Sequence, residues 1–387
     1  MRCVSIGLCA LQLAVFTGCR LLPQKANAPF YPIGIYSVPS TNDFASLKQA
    51  GFNLVTGSAE KGYLDAAQAA GLKVLAAPGT SAGRGFNLAD AAKVVKAFDA
   101  HPALWAWYLV DEPDMQQIPP ETVVRNHAAL KSLKPAKPTA LVLFQGYEAL
   151  DYANITDIMM IDKYPVPWLP LASFGQHVEM TRLALGKGKP LIAVIQAFDW
   201  GSFPQMLPGE KNLRPPTHEE IRCMTYEALA RGATGLFYYA FDAGWKMREH
   251  PETWVALRNV VREVNERLPL FQAEHRWWAK EHQFGDPAHR FNAALQSSVT
   301  SCLLRVTGAN ALVAAGDYIL AVNNTDRTQQ YSFALPRTHH APDSQPSTLN
   351  LQPLQVPVLE ESRSLVVQNG RLTDAFLPYA VHVYGPL

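Results

Sequence analysis

Asp111 and Glu112 end an apolar, aromatic run, Trp105-Ala106-Trp107-Tyr108-Leu109-Val110, and Pro113 follows directly. The run suits a strand buried on both faces. Proline cannot donate to a strand ladder, so the strand stops and the two carboxyls stand at its carboxyl end. Two acids at such a tip add nothing to stability. Paired carboxyls do suit cleavage of a glycosidic bond. One protonates the departing oxygen while a second attacks the anomeric carbon or activates a water. The acid must hold its proton near neutrality, which calls for apolar or anionic surroundings. Glu112 meets that requirement, with Asp111 beside it and Trp105, Trp107 and Tyr108 expected as walls.

Further acids and rings end other apolar runs. Glu112, Asp162, Asp199 and Asp242 are the candidate catalytic carboxyls, and Tyr36, Asp111, Tyr164, Gln196, Trp200, Tyr239 and Trp245 the candidate substrate-binding groups. Aromatic planes at a mouth offer stacking faces for sugar rings. Each acid also has a plainer use as a turn or rim residue, Asp199 before Trp200-Gly201 and Asp242 before Ala243-Gly244 above all. Tyr238 and Tyr239 alternate faces, so only one of them can look into a mouth.

The elements that would bring these residues together are βα units. From Pro32 to about Arg267, short apolar runs alternate with helical spacing closed by Gly or Pro. The strands read Ile33–Val38, Phe52–Thr56, Lys73–Ala77, Trp105–Val110, Thr139–Phe144, Asp157–Asp162, Leu191–Gln196 and Leu236–Phe241. Helices follow at Leu88–Ala100, Glu121–Leu133, Val178–Leu185, His218–Ala230 and Trp254–Arg267, among others. Eight units over roughly 240 residues predict a (β/α)8 TIM barrel, whose strand ends converge on one mouth. An open doubly wound sheet would want a glycine-rich phosphate loop after the first strand, and there is none. Gly83-Arg84-Gly85 and Gly186-Lys187-Gly188 read as turns. After Pro269 helical spacing gives way to short strands at 299–305, 318–323, 331–335 and 380–384, the pattern of a C-terminal β-sandwich. Trp277-Trp278 is expected to pack barrel against sandwich, and His339-His340 to sit in a polar loop.

With these residues in view, the chain resembles the clan A glycoside hydrolases and the related barrel hydrolases around them. The resemblance rests on Asp111-Glu112-Pro113 at the end of the fourth strand, Asp162-Lys163-Tyr164-Pro165 at the end of the sixth and the closing sandwich. It implies that Glu112 is the acid/base and that Asp111 orients the substrate or the acid. The sequence departs from the pattern at the end of the seventh strand, where the family's nucleophilic glutamate is replaced by Gln196. An amide cannot be that nucleophile. Asp199 takes the role, or Asp162 or Asp242 activates water, or the site binds glycan without cutting it.

The totals exclude other classes. Among 387 residues the net charge is +1 and charged residues are 17%, with no basic stripe, so nucleic acid has no electrostatic footing. CxxC and HExxH are absent, so no metal or other cofactor is expected. The partner expected is a carbohydrate. Residues 1–19 read as a signal peptide: Arg2, an apolar run from Val4 to Phe16, then Thr17-Gly18 before Cys19. Cys19 is the expected lipidation site, making this a lipoprotein held to the membrane of the bacterial cell envelope. Residues 20–29 then form a tether, 30–268 the barrel and 269–387 the sandwich. Cys3 and Cys9 leave with the signal, and Cys223 and Cys302 are expected to be free thiols.

Overall fold

The computed structural model describes residues 29–276, 298–335 and 354–387. Cys19, Trp277-Trp278 and His339-His340 lie outside these residues. Tyr31–Leu387 forms one compact unit.

Eight parallel strands close into a barrel in chain order: β1 (Ile33–Ile35), β2 (Leu54–Gly57), β3 (Lys73–Ala76), β4 (Leu104–Tyr108), β5 (Thr139–Leu143), β6 (Ile158–Asp162), β7 (Leu191–Gln196) and β8 (Gly235–Tyr239). β1 closes on β8 with Gly34 opposite Phe237. Alternate side chains point inward. Tyr36, Leu54, Leu75, Ala106, Val142, Met160, Val194 and Phe237 fill the interior. The other face, with Ile35, Val55, Leu141, Ile161, Ala193 and Tyr238, packs against the helices. Gly34 leaves the space that Phe237 occupies, since a Cβ there would meet the ring at 2.4 Å.

The helices are α1 (Phe44–Gln49), α2 (Lys61–Ala69), α3 (Leu88–Phe98), α4 (Pro120–Ser132), α5 (Ala149–Tyr152), α6 (Ala172–Leu185), α7 (His218–Ala230), α8 (Pro251–Glu266) and α9 (Leu268–Phe271). Their starts follow local chemistry. Asn87 accepts from Ala89 N and Asp90 N ahead of α3. Pro120 and Pro251 occupy first turns, where the missing N–H costs nothing. Thr217 and Glu220 form a reciprocal capping box on α7. α6 begins earlier than the apolar spacing suggests, because Ala172–His177 carries weak periodicity but is drawn into helix by buried Phe174 and Gly175.

After β8, β9 (Asp242–Ala243) and β10 (Trp245–Lys246) form a two-stranded ladder; beyond α9, β11 (Glu274–Arg276), β12 (Val299–Val306), β13 (Gly316–Asn323) and β18 (Val381–Tyr384) form one antiparallel sheet. The antiparallel pairs of β14 (Gln329–Ala334) with β17 (Arg371–Phe376) and β15 (Gln355–Pro357) with β16 (Ser364–Val366) face it. Leu303, Ile319, Phe333, Leu372, Phe376 and Tyr384 fill the space between. The architecture is a TIM barrel with a C-terminal β-sandwich. The strands that sequence reading passed over are short or half exposed, as in the strict alternation of β17.

The sandwich's other face lies on α7, which is therefore buried on nearly every side. Cys223 and Cys302 are both buried free thiols in this layer. Glu227, fully buried, is paired with Arg231 at 3.3 Å and accepts from Asn324 Nδ2 at 3.1 Å. Arg231 also pairs with Glu179 on α6 and donates to Thr300 Oγ1 on β12. A second bridge runs from Arg267 to Glu360 in the sandwich. Removing one partner of a buried pair leaves an uncompensated charge, at a cost of about 3–5 kcal/mol. Arg231→Met should lose about that much in urea unfolding, and a loss no larger than that of an exposed substitution would contradict the network's role.

Candidate active site

Glu112 owes its position to a clamped turn. After β4, Leu109 N still donates to Ala140 O at 2.8 Å, and the chain then breaks at Asp111. Glu112 sits at φ 37°, a region that non-glycine residues enter at a cost of about 1–3 kcal/mol. Surrounding bonds hold it there. Gln116 N donates to Glu112 O at 3.0 Å and Ile118 N to Pro113 O at 2.8 Å. Asp114 accepts from Phe144 N at 3.0 Å and from Gln145 N at 2.6 Å, tying the turn to the end of β5.

Asp162 reaches the same point by strand alternation. Ile158 and Met160 face the barrel interior, and Asp162 is next in that series. It is 5% exposed. Tyr164 OH donates to its Oδ2 at 2.9 Å. Its Oδ1 is buried and has no protein donor, while the Glu112 carboxyl is its hydrogen-bonding neighbour. Two carboxyls can bond only through a proton held by one of them, and like charges this close cannot both ionise at low cost. Burial pushes Asp162 well above the carboxylate range, and the negative charge of Glu112 adds to it. Burial likewise pushes Glu112 up to about 7, opposed by the bond from Asp162 and reinforced by Asp111 and Asp114. The pair therefore favours holding a proton near neutrality, with Asp162 the more strongly shifted of the two.

Around this pair lies a cavity of about 210 Å³. Its walls are Tyr36, Tyr164, Tyr239, Phe144, Phe198 and Trp200, with Asp111 at the rim. The rings pack on each other: Tyr164 and Tyr239 are 5.5 Å apart, Tyr164 and Phe198 5.1 Å, Phe198 and Trp200 4.9 Å. Asp111 accepts from Tyr108 OH. A second hollow of about 750 Å³ adjoins, sharing Tyr36, Asp111 and Tyr239 and reaching Asp242.

The remaining candidates are placed differently. Asp199 accepts from Gly201 N at 2.7 Å, capping the turn that carries Trp200. Asp242 stands 3.7 Å from Arg248. Gln196 is inward on β7 and fully buried, with its amide committed to backbone: Val166 N donates to Oε1, and Nε2 donates to Val166 O and Phe198 O. Trp245 is 1% exposed and stacks on His250 at 3.6 Å, outside the cavity lining. Trp107 faces the helices and donates to Asp99 at 2.8 Å, so it is not a wall of the mouth. Tyr239 lines the cavity, whereas Tyr238 is core and its hydroxyl meets Thr225 at 3.1 Å.

Sequence reasoning missed Asp114, Phe144 and Phe198. Lys163 lies 3.9 Å over the Phe144 ring, and burial lowers its pKa against the pull of Asp162, Asp114 and Glu112. A signal for Asp114 was present in Glu112-Pro113-Asp114, since an acid just past a proline turn suits backbone N–H groups. Among the described residues no group of three or more His, Cys, Asp or Glu could hold a metal ion, and no helix is long and apolar enough to cross a membrane.

No family model matches the chain, and no curated protein does. Solved structures do. A catalytic mutant of a GH42 beta-galactosidase from G. stearothermophilus aligns at TM-score 0.58 and 9% identity, over 92% of this chain and 98% of that one. A structure described as a glycoside hydrolase aligns at 0.55 and 12%, over 93% of each. The α-amylase of Geobacillus thermoleovorans, complexed with acarbose, aligns at 0.52 and 9%, over 92% and 97%. At such identities the likeness is one of fold, a glycoside hydrolase-like barrel with its trailing β domain.

Asp162 and Glu112 have folded pKa values raised above their unfolded ones. The stability they contribute is present in acid and is lost as pH rises through about 7. Asp162→Asn does not titrate, and its amide can donate to Glu112. Its melting temperature relative to the parent should therefore rise between about pH 5.5 and pH 8.5. A constant difference across that range would mean that the pair does not share a buried proton.

Proposed function

We propose that the chain is a glycoside hydrolase acting on an O-glycosyl bond of an oligo- or polysaccharide, with Glu112 as general acid/base. The observation that carries this reading is that Glu112 and Asp162 line one aromatic-walled cavity at the barrel mouth, where burial raises the pKa of both carboxyls. Glu112 is the less buried partner and can present its proton to a glycosidic oxygen. Asp162 is too buried to attack a sugar and suits a positioning role, orienting the Glu112 carboxyl, whose own burial and the charges of Asp111 and Asp114 raise its pKa to about 7. Water activation then falls to Asp242 or Asp111, which open on the adjoining hollow. Asp199, already bonded to its own loop, is the weaker candidate. Tyr36, Tyr164, Trp200 and Tyr239 supply faces for sugar rings.

Gln196 favours a second reading, a glycan-binding protein without turnover, because its amide offers no carboxylate at the end of β7. A broad glycan panel separates the two. In the first reading Glu112→Gln lowers kcat by about 100-fold or more, the range of a lost general acid. Unchanged hydrolysis in that variant would remove Glu112 from the mechanism. Binding with no turnover by the parent chain would favour the second reading. In the first reading kcat/KM should also fall as pH rises past about 7, an apparent value belonging to the coupled pair.

Export and lipidation at Cys19 belong to the same proposal, supported by the apolar run and the small residues before that cysteine. Cys19→Ala should move the protein from the detergent-extracted membrane fraction to the soluble one. Retention in the membrane fraction would argue for another anchor.

A further inference from the structure

The mouth continues past the cavity that holds Glu112. On one side, the hollow over β1–β3 shares Tyr36, Asp111 and Tyr239 with it. On the other, the cavity ends at Trp200, and the indole of Trp168 stands 6.2 Å from that of Trp200, tilted by 37°. Trp168 in turn lines a third hollow of about 480 Å³, between the loop after β6 and the sandwich residues Thr325, Arg327, Gln329 and Tyr379. Trp200 thus neighbours both Tyr164, at 6.1 Å, and Trp168, linking the two hollows ring to ring.

Trp168 is 41% exposed, yet its loop is firmly held. Trp168 N donates to Pro165 O at 2.9 Å, and Leu169 N to the same oxygen at 2.8 Å. Gln196 grips Val166 through both its N–H and its carbonyl. A fully buried side chain from β7 therefore fixes the loop that presents an indole to water. Across the hollow, Tyr379 N donates to Thr325 O at 3.0 Å. A rigid, exposed ring facing guanidinium, amide and hydroxyl groups suits a ligand with one apolar face and a polar edge. A pyranose has that form.

We propose that the third hollow is a glycan subsite, in which Trp168 stacks on a sugar several units along the chain from the bond over Glu112. This deepens the hydrolase reading and rests on it: the substrate is an extended oligosaccharide lying across the mouth, bound on both sides of the carboxyl pair. Gln196, at the position where the resemblance expects a nucleophile, serves as a positioning residue for this subsite.

The test uses the full mature chain carrying Glu112→Gln to block turnover, with gluco-, xylo- and galacto-oligosaccharides of about two to six sugars as probes in calorimetry. Affinity for at least one series should tighten by about tenfold or more from the shortest to the longest member. Trp168→Ala should abolish that gain, and Trp168→Phe, which keeps a ring, should retain much of it. Arg327→Ala, an exposed change on the opposite wall, should reduce it too. Unaltered melting temperatures would show that the variants fold. Equal chain-length dependence with and without Trp168, or none in any series, overturns the subsite. Hydrolysis of the same probes by the parent chain is read separately. Length-dependent binding without hydrolysis would sink the hydrolase reading and leave the subsite standing.

Discussion

Closing eight parallel strands into a ring forces alternate side chains into one shared interior, and the chemistry of this protein follows from where that series ends. On β6 the inward sequence is Ile158, Met160, Asp162. Two apolar residues fill the barrel, and the third is a carboxyl at its upper edge, still buried. Water cannot solvate that charge, so a proton stays. Glu112 arrives from β4 and meets the same constraint. Burial of both carboxyls, with the negative charge of Glu112 adding to it at Asp162, keeps an acid available near neutral pH.

The turn that delivers Glu112 is strained, and it is held by bonds to residues outside β4. Asp114 fastens it to the end of β5 through two backbone N–H groups. Gln196 does the corresponding work one strand beyond Asp162, spending its whole amide on the loop that leads to Trp168. The last inward residues of these neighbouring strands thus serve different ends. Asp162 is left with one oxygen facing the cavity, while Gln196 has every polar atom occupied by backbone.

The sandwich contributes to this arrangement through α7. That helix is enclosed between the barrel and the β12–β13 sheet, which explains a burial so complete that Glu227 needs Arg231 and Asn324 as partners. The same junction supplies a wall of the third hollow, so the trailing domain both covers a helix and extends the mouth.

Strand and helix identity were legible in the sequence because periodicity and punctuation are local. β7 and α7 have the bounds that their apolar runs and flanking residues suggest. The tip acids Asp111 and Glu112 were legible for the same reason, since a proline ends a strand wherever the strand lies. Which of several acids share one cavity was decided only by tertiary structure. Asp162 meets Glu112 from two strands along the ring, fifty positions away in the chain, while Asp199 turns back on its own loop and Trp245 stacks on His250 inside the core. Trp107 shows the limit most simply: strand alternation orients it only once the barrel has chosen an inside. Side-chain direction at a loop tip depends on contacts from distant elements, and no short-range pattern in the chain encodes them.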